Sequence, residues 1–500
     1  MQFEWYGVVE GRRFPMICLL AMAMGTLWHP VWGQENASVG SENPTMTDPA
    51  ELKSLWTRRR GEDWPQFLGP TGDGKSTETG LIVPWPDEGP RIVWQRRIGS
   101  GYGIGSVSQG RYYHFDRWDP RIHAERGVAR LTCMNAETGA ELWRFEYPSH
   151  YRDTLGYNNG PRCSPVIDGN RVYVLGVEGM LHCLNASNGK PLWRCDTAEK
   201  YHVVQNFFGV GGTPVVEGDL LICMVGGSPS GSPGLYESNG NVRGNGSGIV
   251  AFNKVTGEVQ YEITDELASY ASPQLATIGD RRWCFVFARG GLVAFDPSTG
   301  DVDFQYPWRA TLLESVNAST PLVVGREVFL TECYQIGSSL LSCRPGGYEL
   351  VWQDRRRRRE KAMKAHWNTP IYVEGYVYGC SGRNPGDADL RCIEWKTGHV
   401  QWTHRADHPR RSSLMYVDGH FVCLGEFGQL QLIKMNPNRY EVISEVELRG
   451  EGESPSATAP EPTTLLRYPC WAAPILAHGL LYVRGDKCVV CLEVIPDKDT

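Results

Sequence analysis

Residues Gly69 to Ser76 read GPTGDGKS and satisfy the phosphate-cradling pattern G-x-x-x-x-G-K-[ST]. That chemistry needs a buried strand feeding the loop and a helix starting at the Lys-Ser pair, so that backbone amides and the helix dipole meet a phosphate. Neither is readable here. GEDWPQFL precedes the loop and carries two acids, a Pro and a Gln, while Gly80, Pro84, Pro86 and Pro90 break any helix on its far side. The segment is read as a glycine-rich entry loop, and no nucleotide is expected. Cys488 and Cys491 form a C-x-x-C, a spacing shared by redox and metal sites. In a strand, residues three apart face opposite sides roughly 10 Å apart, beyond the ~7 Å that a disulfide spans between Cα atoms. The chain has no C-x-x-C-H for an attached haem, and His404 and His408 lack a third ligand, so no metal site is expected. The run Arg355 to Arg359 is read as a solvated loop rather than an anion-binding patch.

Composition narrows the classes. Of 500 residues, 41% are hydrophobic, with 57 Gly, 17 Trp and 22 Tyr, which suits a turn-rich β protein. A net charge of −7 argues against a general nucleic-acid binder. Arg12 and Arg13 precede the apolar run FPMICLLAMAMGTLW, and Val31-Trp32-Gly33 offers a cleavage site. An export signal over residues 1–33 is therefore expected. The alternative is a retained anchor, although the run is short of the ~20 residues that span a bilayer. Cys18 follows PMI rather than the small residues of a lipidation signal. Cys133, Cys183, Cys343, Cys392 and Cys491 recur in LTCMN, LHCLN, LLSCR, LRCIE and VVCLE, and are read as small apolar packing positions rather than disulfide partners.

These elements belong to a repeat. SPVIDGNRVYVLGVEGMLHCLNASNGKPLW, from Ser164 to Trp193, alternates apolar residues between turns at Asp168-Gly169, Glu178-Gly179 and Asn188-Gly189. That is a four-stranded antiparallel meander. The unit recurs along the chain with a fixed core spacing. Asn135, Asn185, Asn253, Asp296 and Glu394 each stand four residues before a Gly, at 139, 189, 257, 300 and 398. Each Gly stands four before an aromatic, at Trp143, Trp193, Tyr261, Phe304 and Trp402. The first residue can cap the turn, Gly supplies positive φ, and the aromatic can pack on the neighbouring unit. Trp352 and Ile443 hold the aromatic slot in degenerate copies. Eight units result, the last short of its outer strand. RIVWQRRI, Arg91 to Ile98, with Trp94 in the aromatic slot, is expected to supply that strand and close the ring. The fold expected is a single all-β, eight-bladed propeller over residues 91–495, preceded by an arm and linker over 34–90. Residues 226–248, rich in Gly, Ser and Asn, read as a mobile surface insertion in the third unit.

The unit LHCLNASNGKPLW resembles the pyrroloquinoline-quinone-type propeller repeat, approximately L-x-A-L-D-x-x-T-G-x-x-x-W, and DWPQFLGPTGDGKS looks like the W-P-Q-F-x-G-P opening of the exported bacterial members of that family. The resemblance covers residues 63–495. It implies that the loops joining one blade to the next ring a central funnel. In this sequence those loops carry Tyr102, Asn159, Arg162, Tyr270, Asn317, His366, Asn368 and Trp471. Amides, an Arg and aromatics can converge into a polar pocket with stacking faces. Alternatively the Asn residues only tie up loop backbone.

The resemblance also implies two functional branches. Its quinoprotein dehydrogenases hold the quinone above Ca²⁺, use an Asp base, and stack the quinone between a Trp floor and a disulfide of adjacent cysteines. This chain has no Cys-Cys, and no Asp is read in its funnel loops. The other branch is the non-enzymatic propeller of outer-membrane protein assembly. The expected function is an exported, periplasmic or envelope, non-catalytic binding or scaffold propeller. It would be a monomer with a protein partner or small ligand at the funnel. The alternative is a pyrroloquinoline-quinone-dependent dehydrogenase of alcohols or sugars.

Overall fold

The Asn135 side chain accepts hydrogen bonds from the amides of Glu137 and Thr138, and Gly139 follows at φ 66°. Asn253 repeats the arrangement with Val255 and Thr256, and Asp296 with Ser298. In these blades the hairpin between third and fourth strands is thereby fixed by an Asx cap and a left-handed glycine. The computed structural model describes residues 50–119, 127–355, 360–405, 410–450 and 463–497. The expected export signal, Arg356 to Arg359 and His408 lie outside the described residues.

Eight four-stranded antiparallel sheets follow one another along the chain. Blade 1 spans residues 106–148, blade 2 166–196, blade 3 215–263 and blade 4 274–307. Blade 5 spans 322–353, blade 6 371–404 and blade 7 412–447. Blade 8 joins residues 475–493 to Arg91–Arg97, which pairs antiparallel with Cys488–Glu493 and sets Trp94 opposite Cys491. The ring is closed by this early strand, as the repeat spacing required. The chain is an eight-bladed β-propeller. Among the described residues, no helix is long and apolar enough to cross a membrane.

The seams between blades hold the core. Tyr113 and Phe115 of blade 1 cluster with Ile167 and Val172 of blade 2. Across the seams the repeat aromatic does two things. Its indole donates to a carbonyl of the next blade: Trp94 to Ala136 at 2.9 Å, Trp143 to Ala186 at 3.1 Å, Trp193 to Lys254 at 3.1 Å, Trp352 to Trp395 at 2.8 Å and Trp402 to Asn436 at 3.0 Å. Its ring also covers the next blade's turn glycine, so that a Cβ on Gly189 would stand 2.4 Å from Trp143. Gly is thus required twice, for its φ and for the ring it accommodates.

In blades 1, 2, 6 and 8 a cysteine faces the aromatic inside the blade. Cys133 pairs with Trp143, Cys183 with Trp193 and Cys392 with Trp402, each followed by a β-bulge. Cys343 departs from this slot: in blade 5 Leu340 faces Trp352, and Cys343 lies opposite Tyr348. The cysteines among the described residues are free thiols.

The arm has a larger part than an entry loop. Trp64, 1% exposed, exchanges backbone hydrogen bonds with Val107 of blade 1, and Pro65 accepts from Ile167 of blade 2. Gly74 and Ser76 bond Tyr416 of blade 7, and Gly72 lies against Gln274 of blade 4. GPTGDGKS therefore crosses the end of the central channel and plugs it. Lys75 pairs with Asp73 at 2.8 Å. The insertion at 226–248 seats Leu235 in an apolar cluster with Phe207, Val316 and Tyr334.

Candidate functional site

All eight connections between blades reach one cavity of ≈ 180 Å³ at the mouth of the channel. Tyr102, Arg162, Phe208, Tyr270, Val316, His366, Arg411 and Trp471 represent one connection each. Phe67 and Leu68 of the plug supply its floor.

The walls are largely aromatic. Trp471 has ring centres of Trp367 at 4.6 Å, Tyr102 at 4.8 Å and Tyr157 at 5.9 Å. Tyr157 continues to Phe208 at 5.4 Å, and Phe208 to Tyr270 at 5.5 Å. Two guanidinium groups are set into this lining. Arg411 lies 4.7 Å from the Trp367 ring centre and 5.1 Å from that of Trp471. Arg162 lies 5.2 Å from that of Tyr102. A planar cation over an aromatic face is attracted by the ring quadrupole and matches its shape.

Each arginine is matched by a buried carboxylate. Arg411 donates to Glu426 from Nε at 2.8 Å and Nη2 at 2.6 Å, and its amide adds a third bond. Arg162 donates to Asp153 at 2.9 Å, as well as to the Gly160 carbonyl. Asp153 also accepts from the amides of Leu155 and Tyr157 and from the Tyr151 hydroxyl. Asp153 corrects the reading that the funnel loops hold no Asp. It stands in the same connection between blades 1 and 2 as Arg162, nearer blade 1, and folds back onto Arg162.

The expected site residues divide. Tyr102, Arg162, Tyr270, His366, Asn368 and Trp471 line the cavity. Asn159 does not, since its side chain accepts from the Asp153 amide at 2.8 Å. Neither does Asn317, which is fully buried and donates to the carbonyls of Ala288 and Trp308. Asn368 lines the cavity while donating to the Cys380 carbonyl. His366 Nε2 meets the Tyr334 hydroxyl at 3.2 Å. Burial, followed by the charges of Arg411 and Arg383, holds its pKa down to about 3, so the imidazole is neutral. Burial pushes the Tyr102 phenol up to about 12. Arg411, Trp367, Tyr157 and Phe208 join the site from loops already read as funnel loops. Phe67 and Leu68 carry no local signal, because only the path of the arm brings them under the channel.

The donor set can be compared with that of a Ca²⁺-bound quinone. Ca²⁺ takes six to eight oxygen ligands, usually including several carboxylates. Among the described residues no three His, Cys, Asp or Glu side chains group as a metal site requires. The two carboxylates beside the cavity are each committed to an arginine, so the residues present do not fit that group.

Fold and cavity define the class first: an eight-bladed propeller with an aromatic, arginine-bearing funnel closed below by its own arm. The chain belongs to the family described as outer membrane protein assembly factor BamB, whose profile matches residues 127–404. Among solved structures, BamB from Moraxella catarrhalis superposes with a TM-score of 0.51 at 13% identity, covering 81% of this chain and 97% of that one. The quinohemoprotein alcohol dehydrogenase from Comamonas testosteroni gives 0.57 at 13% identity, covering 87% and 80%. At such identities the likeness is one of fold. No curated protein matches the chain in sequence.

Proposed function

We propose that the protein is an exported, non-catalytic binding propeller whose funnel takes a planar group, either a small ligand or a side chain offered by a partner protein. The observation that carries this is the pairing at the cavity. Both carboxylates, Asp153 and Glu426, are tied to guanidinium groups and backbone amides, so neither is free to take a proton from a substrate. What faces the cavity instead is flat aromatic surface with arginine planes, a surface suited to stacking. Export rests on the Arg12–Gly33 segment and on membership of an envelope-associated family.

The competing reading, a quinone-dependent dehydrogenase, is favoured only by the shared propeller. Incubation with pyrroloquinoline quinone and Ca²⁺, followed by a dye-reduction assay on alcohols and sugars, is expected to show no turnover. Turnover would overturn the proposal. In the binding arm, 2-naphthol titrated by calorimetry is expected to bind, and Trp471→Ala to weaken it at least tenfold. Unchanged binding in Trp471→Ala would remove the funnel as the site.

A further inference from the structure

Arg289 sits on the hairpin between the second and third strands of blade 4 and is 4% exposed. Three buried arginines of this protein meet carboxylates, Arg130 with Asp116, Arg162 with Asp153 and Arg411 with Glu426, while Arg484 and Arg111 donate to backbone carbonyls at 3.0 Å or less. Arg289 does neither. Its hydrogen bonds among the described residues are long and go to neutral oxygens, Asn206 Oδ1 at 3.3 Å and the Leu313 carbonyl at 3.5 Å. Its Nε is buried with no partner. The Leu313 carbonyl is shared with a second arginine, Arg309, at 3.3 Å, whose Nε is also unpartnered. A buried cation without a counter-charge is costly, and a like charge beside it adds to that cost. In keeping with this geometry, burial and the Arg309 charge draw the Arg289 pKa down to about 10.

Arg289 also lines a cavity of ≈ 130 Å³ that shares no lining residue with the funnel. Val177, Val203, Val204, Val210, Leu235 and Leu267 make its wall aliphatic. Its carboxylate, Glu178, accepts from the His150 amide and forms no ion pair with Arg289 among the described residues. A cavity of about 150 Å³ holds one benzene-sized molecule, so the occupant has only a few heavy atoms. The charge calls for an anion, and the wall calls for a branched alkyl body.

We propose that this cavity is a second ligand site, which takes a small branched aliphatic carboxylate with its head on Arg289 and its alkyl body against Val203, Val204, Val210 and Leu235. The site stands independently of the funnel. A ligand that binds only the folded state raises its stability in proportion to the logarithm of concentration over Kd. Isovalerate, titrated by calorimetry and by thermal melting of the full chain, is expected to bind and to raise Tm. Arg289→Met should weaken binding at least tenfold, and Arg289→Lys should weaken it less. Val204→Phe, which fills the cavity and leaves the charge, should also abolish binding, and it serves if Arg289→Met does not fold. Trp471→Ala should leave isovalerate binding intact. Three results would overturn the site: no binding of isovalerate, equal binding of isoamyl alcohol, or equal binding of inorganic phosphate. Isovalerate affinity unchanged in both Arg289→Met and Val204→Phe would do the same.

Discussion

Glu332 ends the second strand of blade 5 and is 1% exposed, with Ser315 Oγ donating at 3.0 Å and the Tyr334 amide at 2.8 Å. Burial outweighs these bonds and the Arg309 charge, and lifts its pKa from 4.5 to about 7. Between those values the unfolded chain releases the proton while the folded chain keeps it, so stability falls as pH rises through that window. The contribution is fully present below pH 4.5 and amounts to at most about 3 kcal/mol. Glu332→Gln is expected to flatten this limb of the stability profile, read as urea midpoints from about pH 4.5 to 7.5. An unchanged slope would assign the titration elsewhere. At this same scale the sequence revealed half of the funnel. Tyr102, Arg162, Tyr270, His366, Asn368 and Trp471 were legible because repeat spacing locates the loops that carry them. The pairings Arg162–Asp153 and Arg411–Glu426 were not, because a carboxylate's partner depends on how a loop or hairpin folds back. Arg289 gave no signal at all, since it falls in a hairpin where the repeat pattern is silent.

The blade is legible for a different reason. An Asx, a glycine and an aromatic at four-residue intervals specify cap, turn and seam together, and each copy repeats the same local answer. The two failures are local too. Cys343 follows the motif by letter but sits three positions past the slot, because blade 5 turns through Gly346 and Gly347 rather than through the usual Asx-to-Gly turn. The insertion at 226–248 was read from composition alone, which cannot show that Leu235 has an apolar seat. The seam itself can be tested. Trp94 is 5% exposed, and Trp94→Ala removes both its ring from Gly139 and its bond to Ala136. A loss of about 3–5 kcal/mol is expected from equilibrium unfolding. Gly139→Ala places a methyl group at φ 66° and 2.7 Å from that ring, and should cost more than about 1 kcal/mol. A neutral outcome for either would show that the seam carries little of the stability.

At the scale of the molecule, the plug separates the funnel from a second cavity of ≈ 330 Å³ on its underside, and Phe67, Leu68, Thr213 and Ser272 border both. Trp64→Ala should release residues around 60–80 to limited proteolysis while the blades stay folded, and should weaken 2-naphthol by removing the funnel floor. Protease resistance equal to that of the parent chain would show that Trp64 does not anchor the arm. The plug was hidden in the sequence because a P-loop-like string has no local feature that says which strands it will cross. Closure by Arg91–Arg97 has a separate consequence for how the chain is made. A ribosome builds that strand before blade 1 and its partner, Cys488–Glu493, after blade 7. Throughout translation Arg91–Arg97 therefore waits with an open hydrogen-bonding edge. The ring can latch only once synthesis has passed Glu493, so a product terminated before that strand keeps a sticky edge by which quality control can distinguish it from one that has closed.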